Sequence, residues 1–127
     1  MTENEIAKII LDTSFKLHTK FGPGLFESVY EDILTYELQK NGLQVERQKI
    51  LPVIYGSLRI ESAFRIDMLV NNSVIIEIKS VESVLPVHKK QLLTYLRLAD
   101  KRLGLLINFN EAHLKDGITR IVNKLKE

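Results

Sequence analysis

Two acids and a lysine interrupt the most apolar part of the chain, the stretch FRIDMLVNNSVIIEIKS at residues 64–80. Asp67, Glu77 and Lys79 stand among residues that otherwise read as the buried centre of a β-sheet. A carboxylate in such a place is costly unless it is paired, hydrogen-bonded or bound to a cation. Alternate residues of a strand share a face. Phe64, Ile66, Met68 and Val70 are therefore expected on one face, with Arg65, Asp67 and Leu69 on the other. In the next strand Val74, Ile76 and Ile78 point one way and Glu77 and Lys79 the other. If Asn71-Asn72-Ser73 is a three-residue loop, Val70 pairs with Val74 and Asp67 falls opposite Glu77. A two-residue loop would put the acids on opposite faces. Carboxylates facing each other across a ladder repel. A divalent cation turns that repulsion into a site, since Mg²⁺ takes one or two carboxylates together with waters and phosphate oxygens. Lys79, on the same face, would stabilise charge at phosphorus or orient an attacking water. The alternative is a cross-strand salt bridge with Lys79 between the two acids.

Other polar residues could serve such a centre. Glu27 and Tyr30 are three apart on a predicted helix and so share a side. His88, Gln91 and Tyr95 form a polar stripe at helical spacing beside Leu92, Leu96 and Ala99, which an ordinary amphipathic boundary explains equally well. His18 lies one turn before the FGPG break, where a histidine serves equally as a packing or capping residue. Lys89, Lys90, Arg97, Lys101 and Arg102 make the third helix and its end basic, which suits either a phosphate-tracking surface or a plain solvated face.

The elements that must position these residues follow from periodicity. Residues 2–20 read as a helix, with Thr2 and Glu5 at capping-box spacing and Ile6, Ile9, Ile10, Thr13 and Leu17 on one face. Gly22, Pro23 and Gly24 end it. A second helix spans about 25–40, with Phe26, Val29, Tyr30, Ile33 and Leu34 apolar and Gly42 as its stop. Residues 44–55, 58–70 and 74–79 alternate in polarity between turn sequences and read as an antiparallel meander. Pro86 opens a third helix over 86–100, and RLGLLINF at 102–109 reads as a strand buried on both faces. Residues 112–126 fit either a strand or a short helix. The order is α-α-β-β-β-α-β plus a tail, an α/β (α+β) arrangement with one mixed sheet flanked by helices. Because the last strand is reached through a helix, it is free to pair in parallel.

Composition bounds the rest. A length of 127 residues suits one domain, 1–127, and 45% hydrophobic with 27% charged residues is an ordinary globular balance. No apolar run has the length of a membrane span, and the acidic start MTENEIAKII does not resemble a secretory leader. The chain has no cysteine, so disulfides and thiolate metal sites are excluded and a reducing cytoplasm is expected. A net charge of +2 leans only slightly toward nucleic acid.

Together, the D-x9-E-I-K pattern on a hairpin, followed by a helix and a buried strand, resembles the PD-(D/E)XK nuclease superfamily. GLFESVY at 24–30 is similar to the signature of its GxxExxY branch, with Gly24, Glu27 and Tyr30 in place. LHTKFGPGLFE, PVHKKQLLTYLRL and LGLLINF also look like that branch, so the likeness covers about residues 5–122 in order. Met68 and Ser80 depart from the more usual aliphatic and alanine residues. The resemblance implies a restriction-endonuclease-like core and hydrolysis of phosphodiesters with Mg²⁺ or Mn²⁺. It makes Asp67 and Glu77 metal ligands, Lys79 the catalytic lysine and Glu27 a helix acid at the metal. Gln91 and Tyr95 match a Q-x3-Y element bordering the site, and with His88 and Tyr30 they are the candidate nucleic-acid contacts. The expected partner is nucleic acid, DNA before RNA, with a homodimer or partner protein to supply specificity and no membrane. The rival reading is a non-catalytic nucleic-acid- or protein-binding module on the same fold; a purely structural subunit would bind no divalent ion.

Overall fold

A computed structural model describes residues 1–126; Glu127, within the single domain expected over 1–127, lies outside the described residues. Thr2 caps the first helix, α1 (Glu3–Phe21), through the expected box: the Glu5 N–H donates to the Thr2 hydroxyl and the Thr2 N–H to the Glu5 carboxylate, each at 3.1 Å. The chain then reverses through Gly22 and Gly24, whose φ angles of +69° and +108° are ones that side-chain-bearing residues rarely adopt. The second helix, α2, runs over Glu27–Lys40. Three strands follow, β1 (Val45–Tyr55), β2 (Leu58–Val70) and β3 (Val74–Lys79). Then come α3 (Pro86–Ala99), β4 (Leu103–Asn108), a 3₁₀ turn (Leu114–Gly117) and β5 (Ile118–Val122). The tail thus contains both alternatives in succession, a helical turn and a strand.

The sheet has strand order β1-β2-β3-β4-β5, parallel between β3 and β4 and antiparallel elsewhere. This α+β architecture agrees with the restriction-endonuclease-like core. One face, carrying Met68, Val70, Val74, Ile76 and Ile78, packs on α1 and α2 through Ile6, Ile10, Tyr30, Leu34 and Leu38. The other face, carrying Ile75 and Leu106, packs on α3 through Leu92 and Leu96. The approach of α3 is close, since a Cβ at Gly104 would meet a Leu92 methyl at 2.9 Å. Phe26, expected on the apolar side of α2, is instead 82% exposed, because it precedes the first helical turn and faces away from the sheet.

The facing of β2 also differs from simple alternation. Met68 and Val70 lie on the α1–α2 side, whereas Phe64 and Ile66 pack with Tyr95 and Leu92 on the α3 side. The change falls at Asp67. There the β2–β3 ladder stops, and Gln48 on β1, between the pairs Arg47–Met68 and Lys49–Ile66, takes a φ of +47°. Beyond this point β1 and β2 pair only with each other and form an arm, with its register shifted at Pro52, a residue without an N–H for the ladder.

Tyr30 ties the helical layer to the FGPG loop. Its ring stacks on Phe109 at 4.3 Å, its hydroxyl donates to the Gly22 carbonyl at 2.6 Å, and it accepts from the Leu25 N–H at 3.2 Å. Tyr30→Phe keeps the ring and orphans both backbone groups, so a loss of about 1–2 kcal/mol is expected. Urea denaturation of the two proteins checks this; an unchanged midpoint would show that the loop does not depend on the hydroxyl.

Candidate active site

The register of the NNS hairpin is the one a three-residue loop implies: Val70 pairs with Val74, Leu69 with Ile75 and Met68 with Ile76. At the next position side chains take over from the backbone. The Asp67 N–H donates to Glu77 Oε2 at 2.8 Å, and the Ile78 N–H donates to Asp67 Oδ2 at 2.8 Å. Each carboxylate fills the place of a ladder carbonyl and keeps its second oxygen for another partner. Asp67 and Glu77 are therefore brought together where β2 and β3 fork.

Glu77 is only 7% exposed, between the buried Ile76 and Ile78 and beside Leu106 of β4. Burial first, and the adjacent Asp67 second, push its pKa up to about 8; the Lys79 ammonium and the Asp67 N–H act in the opposite sense. Among the described residues no salt bridge holds Lys79 between the acids, so its influence on Glu77 is through space. A buried pair of this kind holds a proton at neutral pH unless a cation replaces it.

Glu27 comes to the end of β3 by another route. Its carboxylate accepts from the Ser80 N–H at 3.1 Å, and the Ser80 hydroxyl donates to the Leu25 carbonyl at 2.9 Å, which joins the start of α2 to the strand of Glu77 and Lys79. It stays exposed, and among the described residues no group of three or more His, Asp or Glu side chains is gathered as a metal-holding cluster. The acids closest to being a metal centre are thus a pair, Asp67 and Glu77.

From the α3 side, Tyr95 borders the fork. Burial raises its pKa most, followed by the fields of Glu77 and Asp67, while a hydrogen bond from Gln91 works against them. His88 is occupied differently: its Nδ1 accepts the Leu85 N–H at 3.1 Å and caps α3. Tyr30 requires a correction. It is fully buried with its hydroxyl engaged on both sides, so it has no surface for nucleic acid and instead positions the loop before Glu27. His18 Nε2 donates to the Glu111 carbonyl at 2.8 Å, which ties α1 to the loop after β4. Lys89, Lys90, Arg97 and Arg102 are exposed on or just after α3, and Lys101 donates to Asn72 at 3.2 Å.

Four supporting residues, Gln48, Arg47, Glu31 and Asn108, are marked by no motif or spacing in the sequence. Gln48 donates to Glu31 at 2.6 Å and lies 3.4 Å from Asp67 Oδ1, and Arg47 pairs with Glu31 and Asp32. The buried Glu31 on α2 is thereby linked to the fork. Asn108, fully buried at the end of β4, accepts from the Val81 N–H at 3.1 Å and donates to the Val81 carbonyl at 2.9 Å. It thus continues the sheet past Lys79 with a side chain. The one signal available was an asparagine inside the apolar run LGLLINF.

A family model for the PD-(D/E)XK nuclease superfamily matches residues 4–121. The chain belongs to the PD-(D/E)XK nuclease superfamily. Neither a curated protein nor a solved structure matches it.

The raised pKa of Glu77 has a consequence for metal-free stability. Between its ordinary value of 4.5 and about 8, the folded protein keeps a proton that the unfolded chain has lost. Stability is then fully present below 4.5 and is withdrawn as pH rises through that window. In EDTA the melting temperature is expected to fall as pH is raised across this range, and Glu77→Gln should flatten the dependence and melt higher at its alkaline end. Thermal melts of both proteins across the range check this; parallel curves would remove Glu77 as the titrating group.

Proposed function

We propose that the protein is a metal-dependent nuclease of the GxxExxY branch, acting as one catalytic domain on phosphodiester bonds of nucleic acid, with DNA as the first substrate. Asp67 and Glu77 are the metal ligands, Glu27 adds a third acid from α2, and Lys79 is the catalytic lysine. The observation that carries this reading is the carboxylate pair at the β2–β3 fork, held in place by two backbone N–H groups. Superfamily membership over residues 4–121 supports it.

The donor set fits a hard divalent cation. After each carboxylate has given one oxygen to the backbone, Glu77 Oε1 and Asp67 Oδ1, the latter with a long bond from Gln48 at 3.4 Å, are two oxygens of the kind Mg²⁺ and Mn²⁺ prefer. When bound, the ion would supply Lewis-acid polarisation of the phosphate. Hydrolysis adds a water oxygen to phosphorus and breaks one ester bond, whose oxygen leaves with a proton. Lys79 donates hydrogen bonds to the charge that builds up on phosphorus or to the attacking water. Support for the branch comes from how its three marker residues act together. Gly24 turns the loop at φ +108°, Tyr30 holds that loop from beneath, and Glu27 reaches Ser80 at the end of β3. A cytoplasmic setting suits a chain without cysteine, and among the described residues no helix is long and apolar enough to cross a membrane. A homodimer or partner protein would add specificity.

One observation favours a second reading, the non-catalytic binding module: Asp67, Glu77 and Glu27 each already accept a backbone hydrogen bond, a satisfied state that needs no metal. Cleavage separates the two. With Mg²⁺ or Mn²⁺ the wild-type protein should cut one member of a DNA and RNA panel, and Glu77→Ala should lose about a hundredfold or more in rate. Nucleic-acid affinity should barely change, because it comes from cationic contacts to the backbone. Calorimetric titration with Mn²⁺ should give heat for wild type and Lys79→Ala and none for Glu77→Ala. Equal cleavage by wild type and Glu77→Ala would overturn the catalytic assignment, and binding without cleavage by either would establish the second reading.

A further inference from the structure

A groove runs beside the carboxylate fork, between the arm of β1 and β2 and the outer side of α3. Val53, Ala63 and Phe64 line one wall and Val87, Tyr95 and Leu98 the other, around a space of about 480 Å³. These walls are apolar yet open, with Val87 59% and Leu98 43% exposed. The rings of Phe64 and Tyr95 stack at 4.8 Å and 20° within it. Lys90 and Gln91 line its helical side. The groove lies next to the fork, since Phe64, which stacks on Tyr95, stands three residues before Asp67 on β2.

We propose that this groove takes the unpaired bases of a single-stranded nucleic acid, laid so that the adjoining phosphate reaches Asp67 and Glu77. The proposal rests on the nuclease reading and names its substrate class. A duplex keeps its base faces stacked inward and offers a protein phosphates and base edges. Apolar walls beside the scissile phosphate would desolvate nothing on it. An unpaired strand presents the flat faces of its bases, which gain by leaving water for apolar and aromatic surface whatever their sequence. Charge complementarity points the same way. Lys90 is an exposed cation on the groove wall, available to the phosphates of a strand whose bases lie in it. An apolar peptide would fill the walls but bring no anion to Lys90 and no bond for the fork to act on.

The test is fluorescence anisotropy of the full chain in EDTA, so that no cleavage intervenes. The probes are labelled oligothymidylate and oligouridylate of about twelve nucleotides and a DNA duplex of equal length. Single strands should bind about tenfold or more tightly than the duplex, and the two single strands show whether the sugar matters. The double substitution Val87→Glu with Leu98→Glu alters two exposed groove positions outside the catalytic set. It should weaken single-strand binding about tenfold, leave duplex binding unchanged and melt with wild type. If that protein melts early, Leu98→Glu alone repeats the comparison. Equal or tighter duplex binding, an unchanged single-strand affinity in the variant, or no binding to any probe would each overturn the proposal. Parallel Mn²⁺ assays keep the two readings distinguishable. Groove-dependent binding of single strands without cutting would retain the groove and remove the nuclease. Duplex cutting that the groove variant leaves unimpaired would remove the groove and retain the nuclease.

Discussion

The structure turns on the position where the β2–β3 ladder gives up its backbone pairing. At one rung two carboxylates replace two carbonyls, each held by a backbone N–H at 2.8 Å. Continued regular pairing would satisfy those N–H groups with carbonyls and leave the acids standing above one face. Because the side chains accept the bonds instead, they lie in the fork itself, and the repulsion between them is carried by the most buried part of the sheet. Charge-assisted bonds to N–H groups are strong enough to hold a carboxylate there. They do not offset burial and the neighbouring Asp67 charge, which in that order keep the pKa of Glu77 raised.

The two faces of the sheet serve that rung differently. From the α1–α2 side come polar connections: Glu31 through Gln48, and Glu27 through Ser80. From the α3 side come apolar contacts and a phenol, with Leu92 and Leu96 closing the core and Tyr95 at the border. The end of β3 is then fixed laterally by Asn108, whose amide pairs with the Val81 backbone. Lys79 thus sits on a strand whose positions before and after it are hydrogen-bonded to neighbouring elements.

Much of this was legible in the residues. Thr2 and Glu5 announced the first helix, Pro86 the third, and the NNS loop the register that puts Asp67 opposite Glu77. These are local signals, written in the residues that form the feature. What alternation could not reveal was the change of facing at Asp67. Phe64 and Ile66 follow α3, while Met68 and Val70 follow α1 and α2, because a distant β1 residue, Gln48, takes a left-handed φ. The partners of Tyr30 and His88 were hidden for a related reason. Each shows a polar atom at helical spacing, but spacing does not tell whether that atom meets a ligand or the nearest backbone group. Tyr30 meets Gly22 and Leu25, and His88 meets Leu85. Asn108 is the converse case, a polar residue hidden in an apolar strand whose partner, Val81, is 27 residues away.

The fork and the groove have one cause. Had β2 and β3 paired along their whole length, Asp67 and Glu77 would lie in a continuous sheet with no opening between the strands. The ladder instead ends at Met68 and Ile76, so the outer part of β2 keeps only β1 as its strand partner. Freed from β3, this arm shows the α3 side its apolar residues, and Phe64 meets Tyr95. Its tip remains uncovered, with Tyr55 80% exposed. The carboxylates that end the ladder therefore also create the apolar cleft next to them. A substitution that restored backbone pairing at Asp67 would close both together. The carboxylate pair and the apolar cleft are in this sense one structural feature, set by which atoms accept two N–H bonds.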